Sequence, residues 1–407
     1  MVNKKEGYVN EILSSSDKYL KKEFNDKELK VFLKEVKSLN KVNKPTEVIH
    51  NFTEIFQKHI KNKFRSQDSP NYDKELHSFI ARKSNKIKIL WGDCQKILEK
   101  LPSESVHLMV TSPPYYNARE YSQWKNLNDY LEDMRKIIKE CYRVIDNHRV
   151  FVFNVGDIFD NDNLTTKSVW GKRRLPLGAY FIKIFEECGF TFVDDYLWDK
   201  GEVQSERHKN GDNPYPFYIY PMNCYEHILI FHKHRLDKTR HPCPVCGSLS
   251  VSGNTQSEIG VQSWECKNNS CFKRSKSNRG KRFSAKNITT QNKKYRSNNE
   301  IEKDLITKWR RDITRFSPVI KFNSKGENTL GHTAPFPEDI PEMAIKFFTY
   351  SGDVVLDPFA GSFTTAIVAN RMNRIGVGCE LRKDLFEEPI KRNIKNKKMS
   401  FEEKELF

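Results

Sequence analysis

The first 85 residues carry apolar side chains at three- and four-residue spacings, the period of an amphipathic α-helix. The pattern runs through Leu20, Leu29, Phe32, Val36, Val48, Phe52, Ile55, Phe56 and Ile60. Pro45 separates two of the periodic stretches, and the polar segment 66–70 has the composition of a linker. The pattern predicts an N-terminal helical domain over residues 1–85, in which no residue suggests chemistry.

From residue 86 onwards, short apolar runs alternate with amphipathic stretches. Continuous apolar runs are typical of strands that are buried on both faces of a sheet. The pattern predicts strands at 87–91, 106–111, 150–155, 191–198, 225–231, 353–357 and 374–380, and helices at 95–100, 127–144, 176–189, 341–350 and 364–372. This alternation predicts an α/β fold with a parallel or mixed sheet covered on both faces.

Residues 232–330 interrupt the alternation, because they are basic, polar and poor in periodic apolar positions. They contain Cys243 and Cys246, spaced by two residues and followed by a glycine, and then Cys266 and Cys271. Four cysteines so close together predict a tetrahedral Zn²⁺ site. With thiolates at all four positions the ion would be structural, and it would close a segment too polar to form its own core. Unliganded thiols are the alternative.

The composition points to a charged partner. The 407 residues include 70 Lys and Arg against 53 Asp and Glu, a formal net charge of +17. Such an excess is common in proteins that bind a polyanion, because neutralised phosphates release counterions. A solvated basic surface without a partner is the alternative. No apolar run is long enough to cross a bilayer, and the N-terminus lacks the apolar region of a signal peptide. We therefore expect a cytoplasmic protein with no membrane partner.

One candidate for the chemistry follows the strand that ends at Thr111, where the chain reads Ser112, Pro113, Pro114 and Tyr115. The prolines end the strand and stiffen the loop. Loops at the carboxyl ends of central strands carry the chemistry of open α/β sheets. Stiff carbonyls, a hydroxyl and an aromatic ring could seat a planar heterocycle that bears an amino group. Taken alone, the motif is better explained by a rigid turn with a packed tyrosine.

A second stretch favours a functional interpretation of this loop over a rigid turn. A strand ends at Asp357, a glycine-containing loop and a helix follow, and the next strand ends at Glu380. An acid at the tip of the second strand of a βαβ unit suits two vicinal ribose hydroxyls. The loop offers backbone N–H groups and Phe359 to an adenosyl group. A nucleoside triphosphate is disfavoured, because no Gly-Lys-[Ser/Thr] follows.

Together, these residues resemble a known family. Thr111-Ser-Pro-Pro-Tyr115 resembles the catalytic loop of the amino-methylating DNA methyltransferases, and Asp357-Pro-Phe-Ala-Gly-Ser-Phe-Thr-Thr365 resembles their S-adenosylmethionine motif. The order, with the catalytic loop first, resembles the β group, and the resemblance covers about residues 86–395. One departure is Phe363, where the family usually has glycine. A loop that needs a positive φ there would be strained by this side chain.

The resemblance implies a Rossmann-like, seven-stranded, mostly parallel sheet with helices on both faces. It implies a catalytic half of the core at 86–231, a target-recognition insertion with the zinc knuckle at 232–330, and a cofactor-binding half at 331–407, after the helical domain 1–85. The basic segments 273–276 and 279–282 fit the insertion's role. The residues implied to bind S-adenosylmethionine are Asp93, Thr111, Phe336, Pro337, Asp357, Pro358, Phe359, Gly361, Thr364 and Glu380.

The implied catalytic residues are Ser112, Pro113, Pro114 and Tyr115. The target amine lies inside a stacked duplex, so the nucleotide must rotate out of it. Tyr115 would stack on the base. The amino group would donate hydrogen bonds to the Pro113 carbonyl and the Ser112 hydroxyl, which would aim the nitrogen at the methyl group. Serine at the first loop position usually accompanies cytosine N4 in this family and an acidic residue adenine N6, so Ser112 favours N4.

The implied activity is site-specific methylation of double-stranded DNA, in a restriction-modification system. A homodimer and a cognate restriction endonuclease that acts on the same site are compatible with the family. Three alternatives stay open. The first is an adenine-N6 methyltransferase, and the second is a non-catalytic zinc protein that binds DNA on a methyltransferase core. The third is a methyltransferase that acts on a protein or RNA amine, which explains the basic, zinc-containing insertion less well.

Overall fold

The computed structural model describes residues 4–42, 44–65, 67–116, 123–159, 174–201, 216, 223–234, 240–256, 262–271, 279–284, 299–316 and 337–406. Two compact units divide the chain. Unit 1 consists of Met1–Arg65 and His234–Glu300, and unit 2 of Ser66–Lys233 and Ile301–Phe407. Residues 67–85 and 301–316 therefore lie in unit 2, although the sequence pattern groups them with the N-terminal helices and with the insertion.

The helices are α1 (Lys4–Glu23), α2 (Asp26–Val36), α3 (Pro45–Phe64), α4 (Lys74–Ala81), α5 (Cys94–Lys100), α6 (Leu127–Val144), α7 (Leu177–Glu187), α8 (Lys303–Trp309), α9 (Asp339–Phe348), α10 (Thr364–Arg371) and α11 (Lys383–Asn396), with a 3₁₀ turn at Lys37–Lys41. The strands are β1 (Lys86–Trp91), β2 (Val106–Thr111), β3 (Ile145–Val155), β4 (Ile158–Phe159), β5 (Arg174–Leu175), β6 (Phe190–Asp199), β7 (Tyr225–Lys233), β8 (Val251–Gln256), β9 (Gln262–Cys266), β10 (Arg282–Ser284), β11 (Ile313–Arg315), β12 (Val354–Asp357), β13 (Ile375–Glu380) and β14 (Ser400–Glu405).

Unit 2 is built on a nine-stranded sheet in the order β11-β6-β7-β3-β2-β12-β13-β1-β14. Only β7 runs antiparallel to its neighbours, β3 and β6. The prediction of an α/β fold with a mostly parallel sheet is confirmed, but the prediction of seven strands is wrong. Strand β11 at one edge has three residues, and β14 at the other reads Ser-Phe-Glu-Glu-Lys-Glu, so neither has the apolar run that marks the central strands.

The faces of this sheet are covered by different helices, because successive residues of a strand point to opposite sides. In β2, Met109 packs in a cluster with residues of α5, α6 and α7. Its neighbours Leu108 and Val110 pack instead with α9 and the end of α10. Among the described residues, no helix is long and apolar enough to cross a membrane.

The middle of the sheet contains a topological switch point. Strands β2 and β12 are neighbours, with Leu108 opposite Val355 and Met109 opposite Leu356. The sheet continues from β2 to β3 on one side and from β12 to β13 on the other. Open α/β sheets bind ligands at the carboxyl ends of the strands where this divergence occurs. The loop after Thr111 and the loop after Asp357 both leave the sheet there.

Unit 1 joins the N-terminal helices to the part of the insertion that contains the four clustered cysteines, His234–Glu300, which we call the cysteine segment. The helices enclose a core around Phe24, Phe32 and Phe56, and Leu249 belongs to the same core. The buried Ser16 hydroxyl in α1 accepts a hydrogen bond from the Leu249 backbone N–H at 3.0 Å. The cysteine segment itself contains the small antiparallel sheet β10-β9-β8. Segments from distant parts of the chain therefore share one core.

Candidate functional site

The two sequence motifs meet at the switch point. The Thr111 hydroxyl, at the end of β2, donates a hydrogen bond to Asp357 Oδ1 at the end of β12, with 2.5 Å between the oxygens. Both side chains are buried. Two loops separated by more than 240 residues of sequence are thus joined directly at one edge of the sheet.

Asp357 is a fully buried carboxyl group with one unused oxygen. Its Oδ1 also accepts a hydrogen bond from the Phe359 N–H at 3.1 Å. Its Oδ2 is buried and has no hydrogen-bond partner in the part of the chain that the structure describes. Burial raises the pKa of Asp357 to about 6, although the Thr111 hydrogen bond opposes that shift. A buried oxygen without a partner is costly, which suits it to receive a donor from a ligand.

The loop after β12 turns through two residues of positive φ. Gly361 has φ 48° and Phe363 has φ 62°. A phenylalanine in this region is strained. Its ring is fully buried and packs closely against β13, because a Cβ at Gly378 would stand 2.5 Å from it. Phe363 therefore adopts the left-handed turn, and its buried ring anchors the loop from below.

Glu380, at the end of β13, is held by backbone donors. Its Oε2 accepts from the Gly361 N–H and its Oε1 from the Arg382 N–H, each at 3.0 Å. Burial raises the pKa of this carboxyl group. Each carboxylate oxygen can accept a second hydrogen bond. Asp93 lies nearby, since Gly92 donates to the Glu380 carbonyl at 2.9 Å. The Asp93 side chain caps α5 by accepting from the Lys96 N–H at 3.2 Å.

The loop after β2 is fixed by hydrogen bonds at both ends. Tyr115 donates from its hydroxyl to Glu226 Oε2 at 3.0 Å, and Ser112 donates to the Tyr115 hydroxyl at 3.4 Å. The Pro114 carbonyl accepts from the Tyr130 hydroxyl at 3.0 Å. Burial and the nearby Glu226 raise the pKa of Tyr115 well above its usual value. Tyr115 is therefore a neutral donor at physiological pH.

The other predicted residues lie at the same edge or outside the described residues. Pro358 is buried beside Asp357, and Phe359 is partly buried. Thr364 begins α10, with its hydroxyl 3.0 Å from that of Ser362. Pro337 is buried just before α9. Phe336 lies outside the described residues, as does the basic segment 273–276.

Comparison with known proteins assigns the family. A family model for DNA methylases that modify N6 or N4 amino groups matches residues 106–391, well over half of the chain. This chain is a member of that DNA methylase family. The matched range contains both the loop after β2 and the loop after β12.

Individual relatives of this methylase come from several microorganisms. The type II beta methyltransferase M.BslI of Bacillus sp. (strain NEB-606) is 38% identical over 340 residues, which are 83% of this chain and 30% of M.BslI. The chain therefore spans about a third of the length of that relative. The type II methyltransferase M.MjaI of Methanocaldococcus jannaschii is 26% identical over 77% of this chain and 94% of its own length. The structure of TTHA0409 from Thermus thermophilus complexed with S-adenosyl-L-methionine has a TM-score of 0.50 at 21% identity, covering 79% of this methylase and all of that chain. At that identity the likeness concerns the fold alone.

The structure adds site residues of the methylase that the sequence analysis missed. Glu226 is the second residue of β7, and besides the Tyr115 hydroxyl it accepts from Asn154 Nδ2 at 3.2 Å and Lys200 Nζ at 2.8 Å. Asn154 lies one residue before the end of β3, and Lys200 directly follows β6. The sequence shows these residues only as parts of strands. Their convergence depends on strand order, which no local motif in the sequence signals.

A separate candidate site lies in unit 1. The Sγ atoms of Cys243, Cys246, Cys266 and Cys271 all lie within 4.8 Å of one another. Those of Cys246 and Cys266 are 3.8 Å apart. Tetrahedral Zn–S bonds of about 2.3 Å place sulfur atoms about 3.8 Å apart, so the four thiols fit such an ion. The Asn268 amide donates towards Cys246 Sγ at 3.6 Å, as donors around a thiolate do.

The net charge is concentrated in the same unit. Unit 1 contains 29 Lys and Arg against 13 Asp and Glu, a net charge of +16. Unit 2 contains 41 against 40, a net charge of +1. Nearly all of the excess that suggests a polyanion partner therefore lies outside the unit that holds the two loops.

Proposed function

We propose that this methylase transfers a methyl group from S-adenosylmethionine to the exocyclic N4 of cytosine in duplex DNA, as part of a restriction-modification system. The observation that carries the proposal is the Thr111–Asp357 hydrogen bond, which joins the two loops at the switch point. A transferase needs its donor and acceptor sites within bonding reach of each other, and neighbouring strand ends provide that proximity.

The loop after β12 and the end of β13 would hold S-adenosylmethionine, which when bound supplies a methyl group on a sulfonium. The unused Asp357 Oδ2 suits an ammonium donor. The Glu380 carboxylate suits the ribose hydroxyls, and the partly buried Phe359 suits an aromatic ring. Asp93, Thr111, Pro337, Pro358, Gly361 and Thr364 would complete this side, with Phe336 from the undescribed segment before α9.

The loop after β2 would hold the extruded base. The Tyr115 ring would stack on it, and the amino group would donate to the Ser112 hydroxyl and the Pro113 carbonyl. The neighbouring Pro114 carbonyl already accepts from Tyr130, which fixes the direction of the loop backbone. The amino nitrogen would form the new N–C bond while the S–C bond of the bound cofactor would break to leave a neutral thioether, and the nitrogen would release one proton to solvent. These contacts aim the nitrogen lone pair and require no covalent enzyme intermediate.

Unit 1 would hold the duplex. Its net charge of +16 supports phosphate contacts by this unit. The four-cysteine cluster supports a structural Zn²⁺ that closes the polar segment. The cysteine segment would also recognise the target sequence, because base readout requires side chains that are held rigidly in a groove of the DNA.

The test identifies the product. The chain would be expressed in a host without endogenous DNA methylation, and the genomic DNA digested to nucleosides for mass spectrometry. We expect N4-methylcytosine, and none from cells that express the Tyr115→Ala variant at equal level. N6-methyladenine instead would establish the adenine alternative.

A second measurement addresses the non-catalytic alternative. Calorimetry of the purified chain with S-adenosylmethionine should give a measurable heat of binding. The Asp357→Ala substitution should lower the affinity for S-adenosylmethionine at least tenfold. No heat from the unsubstituted chain, together with no methylated nucleoside, would leave only a DNA-binding protein on a methyltransferase core.

A further inference from the structure

Glu226 occupies an unusual position at the loop after β2. Its side chain is only 14% exposed, and it accepts hydrogen bonds from three different parts of the sheet. The donors are the Tyr115 hydroxyl at 3.0 Å, Asn154 Nδ2 at 3.2 Å and Lys200 Nζ at 2.8 Å. Lys200 balances the charge of the carboxylate, and Asn154 fixes one of its oxygens.

The backbone leaves room for this arrangement. A Cβ at Gly156 would stand 2.9 Å from Glu226 Cγ, so a larger residue there would displace the carboxylate. Asn154 is itself held, because its amide also donates to the His227 carbonyl at 3.0 Å. The carboxylate therefore has one defined position relative to the ends of β3, β6 and β7.

The direction of the hydrogen bonds matters for the target amine. Tyr115 uses its only proton on Glu226, so its oxygen can accept from Ser112. Ser112 in turn uses its proton on Tyr115, which leaves its oxygen lone pairs for an incoming donor. An exocyclic amino group presents N–H donors. The chain of bonds from Glu226 thus prepares Ser112 as an acceptor.

We propose that Glu226, held by Lys200 and Asn154, is a positioning residue that fixes the Tyr115 ring and orients the Ser112 hydroxyl to accept from the target amine. This inference rests on the proposed function for its role in catalysis, but the contact itself can be tested without any activity. Glu226 acts through Tyr115 and needs no contact with the base.

The first experiment measures methyl transfer from labelled S-adenosylmethionine to unmethylated genomic DNA. Tyr115→Phe keeps the ring and removes the hydroxyl, and Glu226→Ala removes the acceptor. Each should lower kcat about tenfold with cofactor affinity unchanged within about twofold. The double variant should be no slower than the slower single variant, because both break the same link. Glu226→Gln, which still offers an oxygen to Tyr115, should recover most of the activity.

The matched control is Glu403, which also accepts from an aromatic donor and from a lysine, namely Trp91 Nε1 at 2.9 Å and Lys391 Nζ at 3.3 Å. It lies on β14 at the edge of the sheet. Glu403→Ala should leave kcat unchanged. Multiplicative losses in the double variant at Tyr115 and Glu226, or an unchanged kcat in Glu226→Ala, would overturn the positioning role.

The second experiment does not need the loaded enzyme. 3-Fluorotyrosine incorporated at position 115 reports the surroundings of the phenol by its ¹⁹F resonance. The ¹⁹F chemical shift should change in Glu226→Gln, change more in Glu226→Ala, and remain the same in Glu403→Ala. No movement in Glu226→Ala would overturn the contact. A wild-type chain that transfers no methyl group would instead contradict the proposed function and leave this contact standing.

Discussion

Units 1 and 2 differ in charge and in the way each is stabilised. Unit 2 is nearly neutral, and its sheet is covered with apolar side chains on both faces. Unit 1 has a net charge of +16, and the cluster within its cysteine segment consists largely of the cysteines with Val251, Trp264 and Phe283. The difference fits the two roles that we propose for the units. In our proposal, unit 2 would hold the reactants at its strand ends, and the charge of unit 1 would attract the polyanion.

The two units also differ in how well their apolar cores can offset destabilising features. Unit 2 buries the Asp357 carboxyl group and places Phe363 at positive φ, both at its candidate site. Its large apolar core can absorb these costs. The three short strands of unit 1 enclose too few apolar side chains to do the same, which is why a metal ion would matter there.

Metal removal should therefore cause the largest loss of stability and of DNA affinity, and this loss should be confined to unit 1. Structural zinc contributes about 10–16 kcal/mol of binding free energy that is also folding free energy. Chelation, or Cys243→Ser with Cys266→Ser, should unfold the cysteine segment and lower affinity for duplex DNA about a hundredfold. Affinity for S-adenosylmethionine, measured by calorimetry, should change less than twofold.

The matched control for metal removal is Cys188→Ser. Cys188 is a partly buried thiol of unit 2 that is not among the four clustered cysteines. That variant should keep its full zinc content and its DNA affinity. If elemental analysis shows that the metal has gone and DNA affinity is unchanged, the cysteine segment has no part in binding DNA.

The next largest effect concerns unit 2, where a substitution at the candidate site should raise the stability of the protein instead of lowering it. The pKa of Asp357 is raised to about 6 in the folded protein, above the usual 3.8. The native state therefore binds this proton more tightly than the unfolded state. Stability falls as pH rises from about 4 to about 6, and the full cost, up to about 3 kcal/mol, remains above pH 6. Asp357→Asn should thus be more stable than wild type at pH 8 and bind S-adenosylmethionine more weakly.

Denaturant unfolding of both proteins between pH 4 and pH 8 checks this prediction, since their difference should shrink towards pH 4. Asp353→Asn is the control. Asp353 pairs with Arg149 at 3.0 Å, so this substitution should destabilise the protein at pH 8 and spare the cofactor. A destabilised Asp357→Asn at pH 8 would mean that its hydrogen bond with Thr111 outweighs the cost of burial.

The sequence predicts the regular core of unit 2 well. The helix predicted at 127–144 is observed as Leu127–Val144, because its buried residues recur every three or four positions and Asn126 caps it. The strands that end at Thr111, Asp357 and Glu380 are also confirmed. Their apolar runs end in turn-forming or acidic residues, a local signal that needs no knowledge of the fold.

The features that the sequence does not predict depend on contacts between distant residues. Tyr115 and Glu226 are separated by 111 positions, and Ser16 and Leu249 by 233. Neither pair has a local pattern, so the carboxylate behind Tyr115 and the shared core of unit 1 emerge only from the fold. Strand β14 is missed for another reason. Its pairing with β1 uses backbone groups, whereas its side chains are mostly charged.

Charge neutralisation should have a moderate effect on unit 1. Arg279→Gln, Lys281→Gln and Arg282→Gln together should lower affinity for duplex DNA about 10- to 100-fold at 0.15 M salt. The slope of log K against log salt should become shallower by about 0.9 for each phosphate that the variant no longer neutralises. Filter binding at several salt concentrations measures both quantities.

The control variant removes the same number of positive charges from unit 2. It combines Arg392→Gln, Lys395→Gln and Lys398→Gln, at three exposed positions in and just after α11. It should leave the salt slope unchanged. Equal slopes for the two triple variants would show that the uneven charge of the units does not decide where DNA binds.

The smallest effect tests whether unit 1 is one cooperative body. Ser16→Ala removes the buried acceptor of the Leu249 N–H and leaves that donor unsatisfied, which costs at least about 1 kcal/mol. Hydrogen exchange should quicken in both α1 and β8 and remain unchanged in β2. Ser14→Ala, at an exposed position of the same helix, is the control and should change neither. If Ser16→Ala speeds exchange in α1 alone, the helices and the cysteine segment open independently, and loss of the metal should then leave α1 folded.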